Sequence, residues 1–572
     1  MDRSKEQVKR TFSLKGQAVF IISAILSIGL AAWGIFGQES ARASATAAMT
    51  TIKSDFGWLY LAGMLAFVLL SLVIAISPLG RVRLGKDDEK PEVNLVSWFG
   101  MLFGAGMGIG LVFWGCAEPL SHYLSPMGGI EAQSLESEAF AVRSSFMHWG
   151  LHPWACYVVL GLGLGILMFR KGKPGMVSGL ISPLCRTHNT KLHNGVKAAI
   201  DIYTTVLTTV GVATSFGLGI LQICKGLEYL FNVPNTMYLV LALMVVIAFI
   251  YLKTAVSGID KGIKLLSNIN ITLFTILLLA IFIIGPTGED FRILIVGVKD
   301  YVVNFFPDSL RLAASDGSVE WIQDWRVFYW AWWLSWAPFV GFFIARISRG
   351  RTVRQFIVGT MIIPTLIGIL WFTACSGLMF NVVDAFTTEQ LTVLLDSPEL
   401  TPFYIFKQYE PFGEVLSIIA MLLLGTFFIT SANSATFILG MTTSDGNLNP
   451  PNSKKIFWGV LVALVALALI LAGGLEMIQT ISIVIAFPYL FLLFVVCVSN
   501  VVMLCKEYKA MKAGGSAEAG PSDDSDASND SEASDNSTAS AAGSASDSSS
   551  VACSADDSSS VVCPSNADCT TA

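Results

Sequence analysis

The sequence predicts an all-α polytopic membrane protein with twelve transmembrane helices, on the strength of its composition and its apolar runs. Of its 572 residues, 53% are hydrophobic and only 14% are charged, whereas soluble domains have about 25% charged residues. Its mean hydropathy is +0.64. Apolar runs of about 20 residues, long enough to cross a hydrocarbon core of about 30 Å, recur along the chain. These runs do not alternate as barrel strands do, so each predicts a helix.

The predicted spans fill a transporter-sized core from residue 13 to residue 505, after a short N-terminal segment at 1–12. They lie near 16–36, 56–78, 95–117, 140–169, 197–223, 235–253, 262–285, 325–345, 355–379, 413–440, 456–474 and 480–504. The first run has no small-residue cleavage site behind it and is followed by many others. It therefore predicts a span and not a removed signal peptide.

Charge predicts the orientation of the spans and the nature of the C-terminal segment at 506–572. Lys and Arg concentrate in 1–12, in the even-numbered connections and directly after the last span. Because cytoplasmic loops retain positive charge, both termini are predicted to be cytoplasmic. The 60 residues after Lys512 contain eleven Asp or Glu and no Lys or Arg. Such a Ser-rich, acidic stretch cannot bury enough apolar surface to order itself, so we expect it to be disordered.

The third span contains four closely spaced glycines, Gly104, Gly106, Gly108 and Gly110. Glycine costs a helix up to about 1 kcal/mol relative to alanine, so this stretch should unwind easily. One interpretation is close helix packing through small residues. The other is a discontinuous helix whose free backbone groups face a substrate carboxylate and a cation at mid-membrane. Glycine spacing alone does not separate the two.

Aromatic residues are dense in the fourth and eighth spans. On a continuous helix, at about 100° per residue, Trp149, Trp154 and Tyr157 fall within an arc of about 140°. Five of the fourteen tryptophans lie between residues 325 and 336. An interfacial belt could account for some of them, but Trp333 and Trp336 lie deeper. Aromatic faces around a pocket attract a quaternary ammonium, each contact being worth roughly 0.5–2 kcal/mol, which favours a cage.

Hydroxyl groups inside the spans are candidate cation ligands. Thr430 and Ser431 in the tenth span, and less clearly Thr208 in the fifth, either bond back to their own helix or supply oxygens to a hard cation. Glu118, Arg143 and Asp201 lie near span ends and are interpreted as structural. The spans contain neither a nucleophile and base pair nor a metal-ligand cluster, so neither an enzyme nor a cofactor is expected, and no nucleic-acid partner is expected either.

Several of these segments resemble the betaine/choline/carnitine transporter family. They are Gly106-Met107-Gly108-Ile109-Gly110 with Glu118-Pro119, the stretch from Trp149 to Tyr157, and Trp330-Ala331-Trp332-Trp333-Leu334-Ser335-Trp336-Ala337-Pro338-Phe339-Val340 followed by Ala345-Arg346-Ile347-Ser348-Arg349-Gly350-Arg351. The resemblance runs from about Ser13 to Cys505. It implies two inverted five-helix repeats of LeuT-like fold, at about 95–285 and 325–504, preceded by two extra helices, and it implies a homotrimer.

The resemblance also implies roles for individual residues. The aromatic box around a trimethylammonium group would comprise Trp149, Trp154, Tyr157 and Trp333, with Trp332 and Trp336 along the substrate path. One sodium site would comprise Met107, Thr430 and Ser431, with Gly104 and Phe427 as backbone contributors. A second would use Thr208 and Phe339. Val212 stands where the family has a threonine one turn after Thr208, so this second site departs from the family pattern by one hydroxyl group.

Gly110 bears on the choice of substrate. Members similar to proton-coupled choline carriers tend to have an aspartate there, so a glycine leaves backbone donors at Gly106, Gly108 and Gly110 and no fixed negative charge. This favours a zwitterion such as glycine betaine over choline, and it suits carnitine, dimethylsulfoniopropionate or ectoine less specifically. The sequence thus predicts a sodium-coupled symporter in a bacterial-type plasma membrane, with membrane lipid around it. A proton-coupled or exchange carrier of choline or carnitine, a non-transporting osmosensor and an ion channel remain alternatives.

Overall fold

The computed structural model describes residues 14–106, 108–184, 190–256, 259–311 and 317–518. In these ranges the chain is helical and forms no strand, and its one isolated β-bridge joins Arg83 to Thr352. The all-α class predicted from the hydropathy is therefore confirmed for the described residues. The predicted cytoplasmic segment at 1–12 and most of the predicted disordered tail lie outside them.

The helices follow the apolar runs. In chain order they are α1 (Leu14–Phe36), α2 (Gln38–Ile76), α3 (Leu95–Gly106), α4 (Ile109–Leu124), α5 (Leu135–Trp149), α6 (Leu151–Gly165), α7 (Val177–Ile181), α8 (Thr190–Phe231), α9 (Met237–Val256), α10 (Ile259–Ile284), α11 (Thr287–Leu310), α12 (Ser318–Trp321), α13 (Phe328–Arg346), α14 (Val353–Val382), α15 (Thr388–Asp396), α16 (Thr401–Lys407), α17 (Gly413–Thr442) and α18 (Asn452–Glu518). Two π-helical turns, Ile166–Arg170 and Ile322–Val327, extend α6 and precede α13.

Nine helical segments of the described residues are long and apolar enough to cross a membrane. A tenth is added if Asn268–Ile284 and Thr287–Leu310, between which the chain bends by 108°, form one span. The third predicted span is divided into α3 and α4, each shorter than a crossing. The eleventh and twelfth are joined in α18, where Gly473 and Gly474 leave the helical conformation. The count of twelve depends on how these breaks are read and stays a prediction.

Two helices differ from their predicted extent. α2 has 39 residues, about 58 Å at 1.5 Å per residue, and begins eighteen residues before the predicted span at 56–78. Its first half is rich in small and polar residues, which is why hydropathy alone did not include it. α18 continues to Glu518, six residues beyond Lys512, where the sequence predicts disorder to begin.

The even-numbered connections meet at one end of the bundle, here called the even end. The amide of Leu84 donates to the carbonyl of Arg351 over 2.9 Å. Arg170 pairs with Asp87 at 2.6 Å and with Glu507 at 2.7 Å. Those contacts join the second, fourth and eighth connections to the segment after the last predicted span. They fit the prediction that the basic connections share one side.

The odd-numbered connections also meet one another, at what we call the odd end. Lys53 pairs with Asp324 over 2.7 Å, and further ion pairs join Arg42 to Glu476 and Arg292 to Glu138. Between the two ends, α18 packs against α1, α2, α8 and α13, while α13 packs against α6. This arrangement surrounds α6 and α13, the two aromatic segments, with other helices.

Candidate substrate site

The third predicted span is interrupted at its glycines. α3 ends at Gly106 and α4 begins at Ile109, with Gly108 at φ −132° and ψ −127° between them. The discontinuous helix predicted as one interpretation of the glycine run is thus confirmed. Met107, which the resemblance implies as a sodium ligand, lies outside the described residues.

Two of these glycines, Gly106 and Gly110, are also sites of very close packing. A Cβ atom added at Gly106 would lie 2.5 Å from Cη2 of Trp154. One added at Gly110 would lie 2.5 Å from Cη2 of Trp332 and 2.8 Å from Cη2 of Trp149. The two interpretations of the glycine run therefore hold together, since the break exists and indole rings lie against it.

The predicted fourth span is also broken, which changes one argument from the sequence. α5 ends at Trp149 and α6 begins at Leu151. A Cβ at Gly150 would meet the carbonyl oxygen of Phe146 at 2.4 Å, so the break requires glycine. The arc calculated for Trp149, Trp154 and Tyr157 assumes a continuous helix, and this assumption does not hold across Gly150, at φ −91° and ψ −131°. A lone glycine before His152 and Pro153 gave no clear signal of a break.

An aromatic cluster joins the end of α5 to α13. Its members are Trp149, Tyr329, Trp332, Trp333 and Trp336. The ring centroids of Trp149 and Trp333 are 4.8 Å apart, and Trp332 stacks on Trp333 at 4.9 Å. Trp336 contacts both Trp332 and Trp333 edge-on, at 6.0 Å and 6.3 Å. All five side chains are buried. They therefore do not form an interfacial belt.

Trp154 and Tyr157 form a separate pair, with ring centroids 5.7 Å apart. In the described part of the chain no ring contact joins this pair to the aromatic cluster, although both border the glycine break. The indole nitrogen of Trp154, the hydroxyl of Tyr157 and the indole nitrogen of Trp332 are buried without a hydrogen-bond partner. These polar atoms are available to a polar ligand or water.

The remaining indole N–H groups of the predicted site are used within the protein. Trp149 donates to Oε2 of Glu118 over 2.8 Å, Trp333 to the carbonyl of His148 over 2.9 Å, and Trp336 to the carbonyl of Gly211 over 3.0 Å. These bonds fix the direction of each ring. Glu118, which its place near a span end suggests is structural, is thus connected to the aromatic residues.

Glu118 lies in a buried polar group beside the aromatic cluster. Its Oε1 is 2.7 Å from Nδ1 of His148 and 3.4 Å from Nε2 of His122. Its Oε2 accepts from Trp149 and from the hydroxyl of Tyr329. Glu118, His122 and His148 could also supply three ligand atoms to a metal, since these lie within 4.8 Å of one another. The signal that could have revealed this group is a carboxylate four residues before a histidine in an apolar run.

Arg143 and Asp201, the other two charges predicted to be structural, do make structural contacts. Arg143 pairs with Asp300 at 2.7 Å and with Asp308 at 2.9 Å. Asp201 accepts from the amide of Ser178 at 3.2 Å and from its hydroxyl at 2.7 Å. Neither contacts the aromatic cluster, so both differ from Glu118 in this respect.

The hydroxyls of the tenth predicted span lie near the glycine break. Thr430 donates to the carbonyl of Thr426 at 2.9 Å and accepts from Nδ2 of Asn270 at 2.9 Å. Oγ of Ser431 would lie 3.7 Å from a Cβ at Gly108, and Cβ of Phe427 would lie 3.9 Å from it. Ser431 and Phe427 therefore face the break across a narrow gap. Gly104 has open space where a Cβ would be.

Asn270, on α10, was missed from the sequence. Its signal is an amide side chain inside an apolar run, since such a group must find a partner in the membrane. Its amide also lies 3.3 Å from the carbonyl of Thr426.

The second predicted ion site is built differently. The hydroxyl of Thr208 donates to the carbonyl of Thr204 at 2.7 Å, as expected for a hydroxyl that bonds back to its own helix. Phe339 packs on Trp336, with ring centroids 5.2 Å apart. Val212 is buried and offers no oxygen. Within the described residues no hydrogen bond or ring contact joins Thr208 to Phe339, so these two remain separate candidates.

Comparison with known proteins gives a consistent result. The profile of the family described as BCCT, betaine/carnitine/choline family transporter, matches residues 18–509. The chain is similar to the glycine betaine transporter OpuD of Bacillus subtilis, with 41% identity over 86% of this chain and 96% of that protein. It is similar to an ectoine/hydroxyectoine transporter of Virgibacillus pantothenticus, with 38% identity over 86% and 96%. A glycine betaine/proline/choline transporter of Vibrio parahaemolyticus is 36% identical over 80% and 84%.

Proposed function

The chain belongs to the betaine/carnitine/choline transporter family, and from that premise we propose that it imports glycine betaine together with sodium. The observation that carries the proposal is the buried aromatic cluster lying against an interrupted helix. Tryptophan faces attract a quaternary ammonium. The break supplies backbone donors for a carboxylate at the same place, so the arrangement suits a zwitterion with both groups.

The start of α4 would bind the carboxylate end of the substrate. A helix N-terminus has amides without intrahelical acceptors and a partial positive charge, and both favour an anion. The helix begins at Ile109, directly after the break, and Gly110 brings its backbone against Trp332 and Trp149. A betaine held by the rings would have its carboxylate within reach of this terminus.

Sodium is proposed as a co-substrate beside the break, at Thr430 and Ser431 with backbone oxygens of Gly104 and Phe427. Hydroxyl and carbonyl oxygens are the ligands that a hard cation requires. Ser431 faces Gly108, so a cation there would contact both predicted repeats. Thr430 already accepts from Asn270, and its second lone pair would serve the ion. The Thr208 and Phe339 site is a weaker proposal, because Thr208 bonds back to its helix and Val212 lacks an oxygen.

We further propose the finer architecture that the resemblance implies. Twelve spans would form two inverted repeats behind two extra helices, and alternating access would move one repeat against the other around a fixed site. The even end would face the cytoplasm, as its basic residues favour. The protein would lie in a bacterial-type plasma membrane as a homotrimer. Each sodium entering with a neutral zwitterion would then gain about 2.3 kcal/mol per 100 mV.

Uptake into proteoliposomes tests the proposal. Labelled glycine betaine is supplied under an inward sodium gradient, under equal potassium, and under an imposed proton gradient. Accumulation is expected only with sodium, and more of it when the interior is negative. Accumulation driven by protons, exchange without any gradient, or no transport of betaine would contradict it. Unlabelled ectoine, proline and choline, added as competitors, show whether the substrate range is wider.

A further inference from the structure

We propose that Glu118 is a specificity-determining residue whose fixed negative charge, acting through the indole N–H of Trp149, favours the quaternary ammonium end of the substrate. This inference rests on the proposed function, since it concerns how the same site distinguishes its substrate. It also corrects the expectation that glycine at position 110 leaves the site without a fixed negative charge.

The hydrogen-bond pattern indicates that Glu118 is ionised. A carboxylate has about four acceptor directions on its two oxygens. Four groups occupy them: His148 and His122 at Oε1, and Trp149 and Tyr329 at Oε2. A proton on Oε2 would have to displace the N–H of Trp149 or the O–H of Tyr329. A proton on Oε1 would require a histidine ring nitrogen to accept, and so to be the unprotonated one. The carboxylate is completely buried, so it depends on these partners for its solvation.

The two histidines fit this charge state as neutral donors. Each directs one ring nitrogen at Glu118, while Nε2 of His148 and Nδ1 of His122 have no partner. An imidazolium would leave a charged N–H unpaired in the interior, which costs more than an unpaired lone pair. In the described residues no Lys or Arg lies within ion-pair distance of Glu118. The three side chains Glu118, His122 and His148 together therefore have a net charge of −1.

Trp149 links the charge of Glu118 to the substrate site. Its N–H end is held by Glu118, and Cη2 at its other end lies where Gly110 leaves room for it. An indole that donates to an anion gains electron density in its ring, and that density is what attracts a cation to the face. The same group positions a second ring, because the carbonyl of His148 accepts from Trp333. Glu118 and His148 thus fix both Trp149 and Trp333, whose ring centroids are 4.8 Å apart.

The test is the ratio of the apparent affinities for two competing ligands, because general damage to the fold lowers both affinities equally. Glycine betaine is compared with 3,3-dimethylbutyrate, in which an uncharged tert-butyl group replaces the trimethylammonium, as competitors of labelled betaine uptake. Wild type is expected to prefer the charged head. Glu118→Gln is expected to reduce this preference about tenfold, the equivalent of one strong cation–π contact. Asp201→Asn, which neutralises a buried carboxylate that contacts Ser178 instead, is the matched control and should retain the wild-type ratio.

A second variant shows whether the effect passes through the indole. Trp149→Phe keeps an aromatic face and loses the N–H, so it should lower the ratio by itself, and combining it with Glu118→Gln should add little. If these variants transport too slowly, the ratio is measured in detergent from quenching of tryptophan fluorescence. A wild-type ratio in Glu118→Gln, or independent effects that multiply in the double variant, would overturn the inference alone. Wild type that neither binds nor transports betaine would overturn the proposed function as well.

Discussion

Replacing Gly110 by alanine tests the contact between the glycine break and the aromatic cluster. The added Cβ would lie 2.5 Å from Cη2 of Trp332 and 2.8 Å from Cη2 of Trp149, whereas ordinary contact begins at 3.4 Å. Trp332 must therefore retreat by about 0.9 Å or the start of α4 must move. Both atoms belong to rigid rings that are packed on other rings, so neither can give way by a simple change of rotamer.

The cost of this overlap can be estimated. Overpacking a well-filled core by one methyl group costs about 1–3 kcal/mol, and about 1.4 kcal/mol corresponds to a tenfold change in an equilibrium constant. Because the overlap displaces rings that would hold the ammonium, we expect the apparent affinity for betaine to fall by roughly 5- to 100-fold. If the overlap is relieved within the site, the free energy of unfolding of the purified protein should change less than the free energy of betaine binding.

The assay is betaine uptake over a range of concentrations, normalised to the amount of protein in the membrane. Gly425→Ala is the matched control, because a Cβ there has nothing within 4 Å and Gly425 also lies in a membrane helix, α17. Control and wild type should agree within about twofold. Gly110→Ala with the affinity of the control would refute the argument, since the rings would then not constrain the break as the geometry requires.

Two further predictions concern the rings and the ion. Trp333→Leu removes the ring that contacts Trp149 and should weaken apparent betaine affinity roughly tenfold; an affinity equal to wild type in uptake assays would count against the cage. Replacing both Thr430 and Ser431 by alanine should shift the sodium dependence of uptake to higher concentrations, because two proposed oxygen ligands are lost. Ser434→Ala, one turn further on in α17, is the control, and an identical sodium curve in all three proteins would remove these ligands from the proposal.

Local composition predicted the features that are contiguous in the chain. The glycines of the third span predicted its interruption, because glycine lowers the cost of unwinding wherever the helix is placed. The tryptophans of α13 predicted a buried aromatic face. The distribution of Lys and Arg predicted which connections belong together, and the even end and the odd end bear this grouping out among the described connections.

Features that depend on contacts between distant segments could not be predicted. Glu118 is 31 residues from Trp149 and 211 from Tyr329 in sequence, so no spacing rule connects them. Asn270 is likewise separated from Thr430 by 160 residues. At Gly150 a Cβ would lie 2.7 Å from the hydroxyl of Tyr301, a contact with a distant segment that requires the packed bundle.

Trp332 and Trp333 have a consequence for how the site can open. Consecutive residues on a helix project about 100° apart and do not normally face each other. Here their rings are stacked with an interplanar angle of 14°. Trp332 also lies against Gly110, and Trp333 lies against Trp149. The two stacked indoles therefore lie between α4 and α5, and a rotation of either ring has to break the stack or move its neighbour.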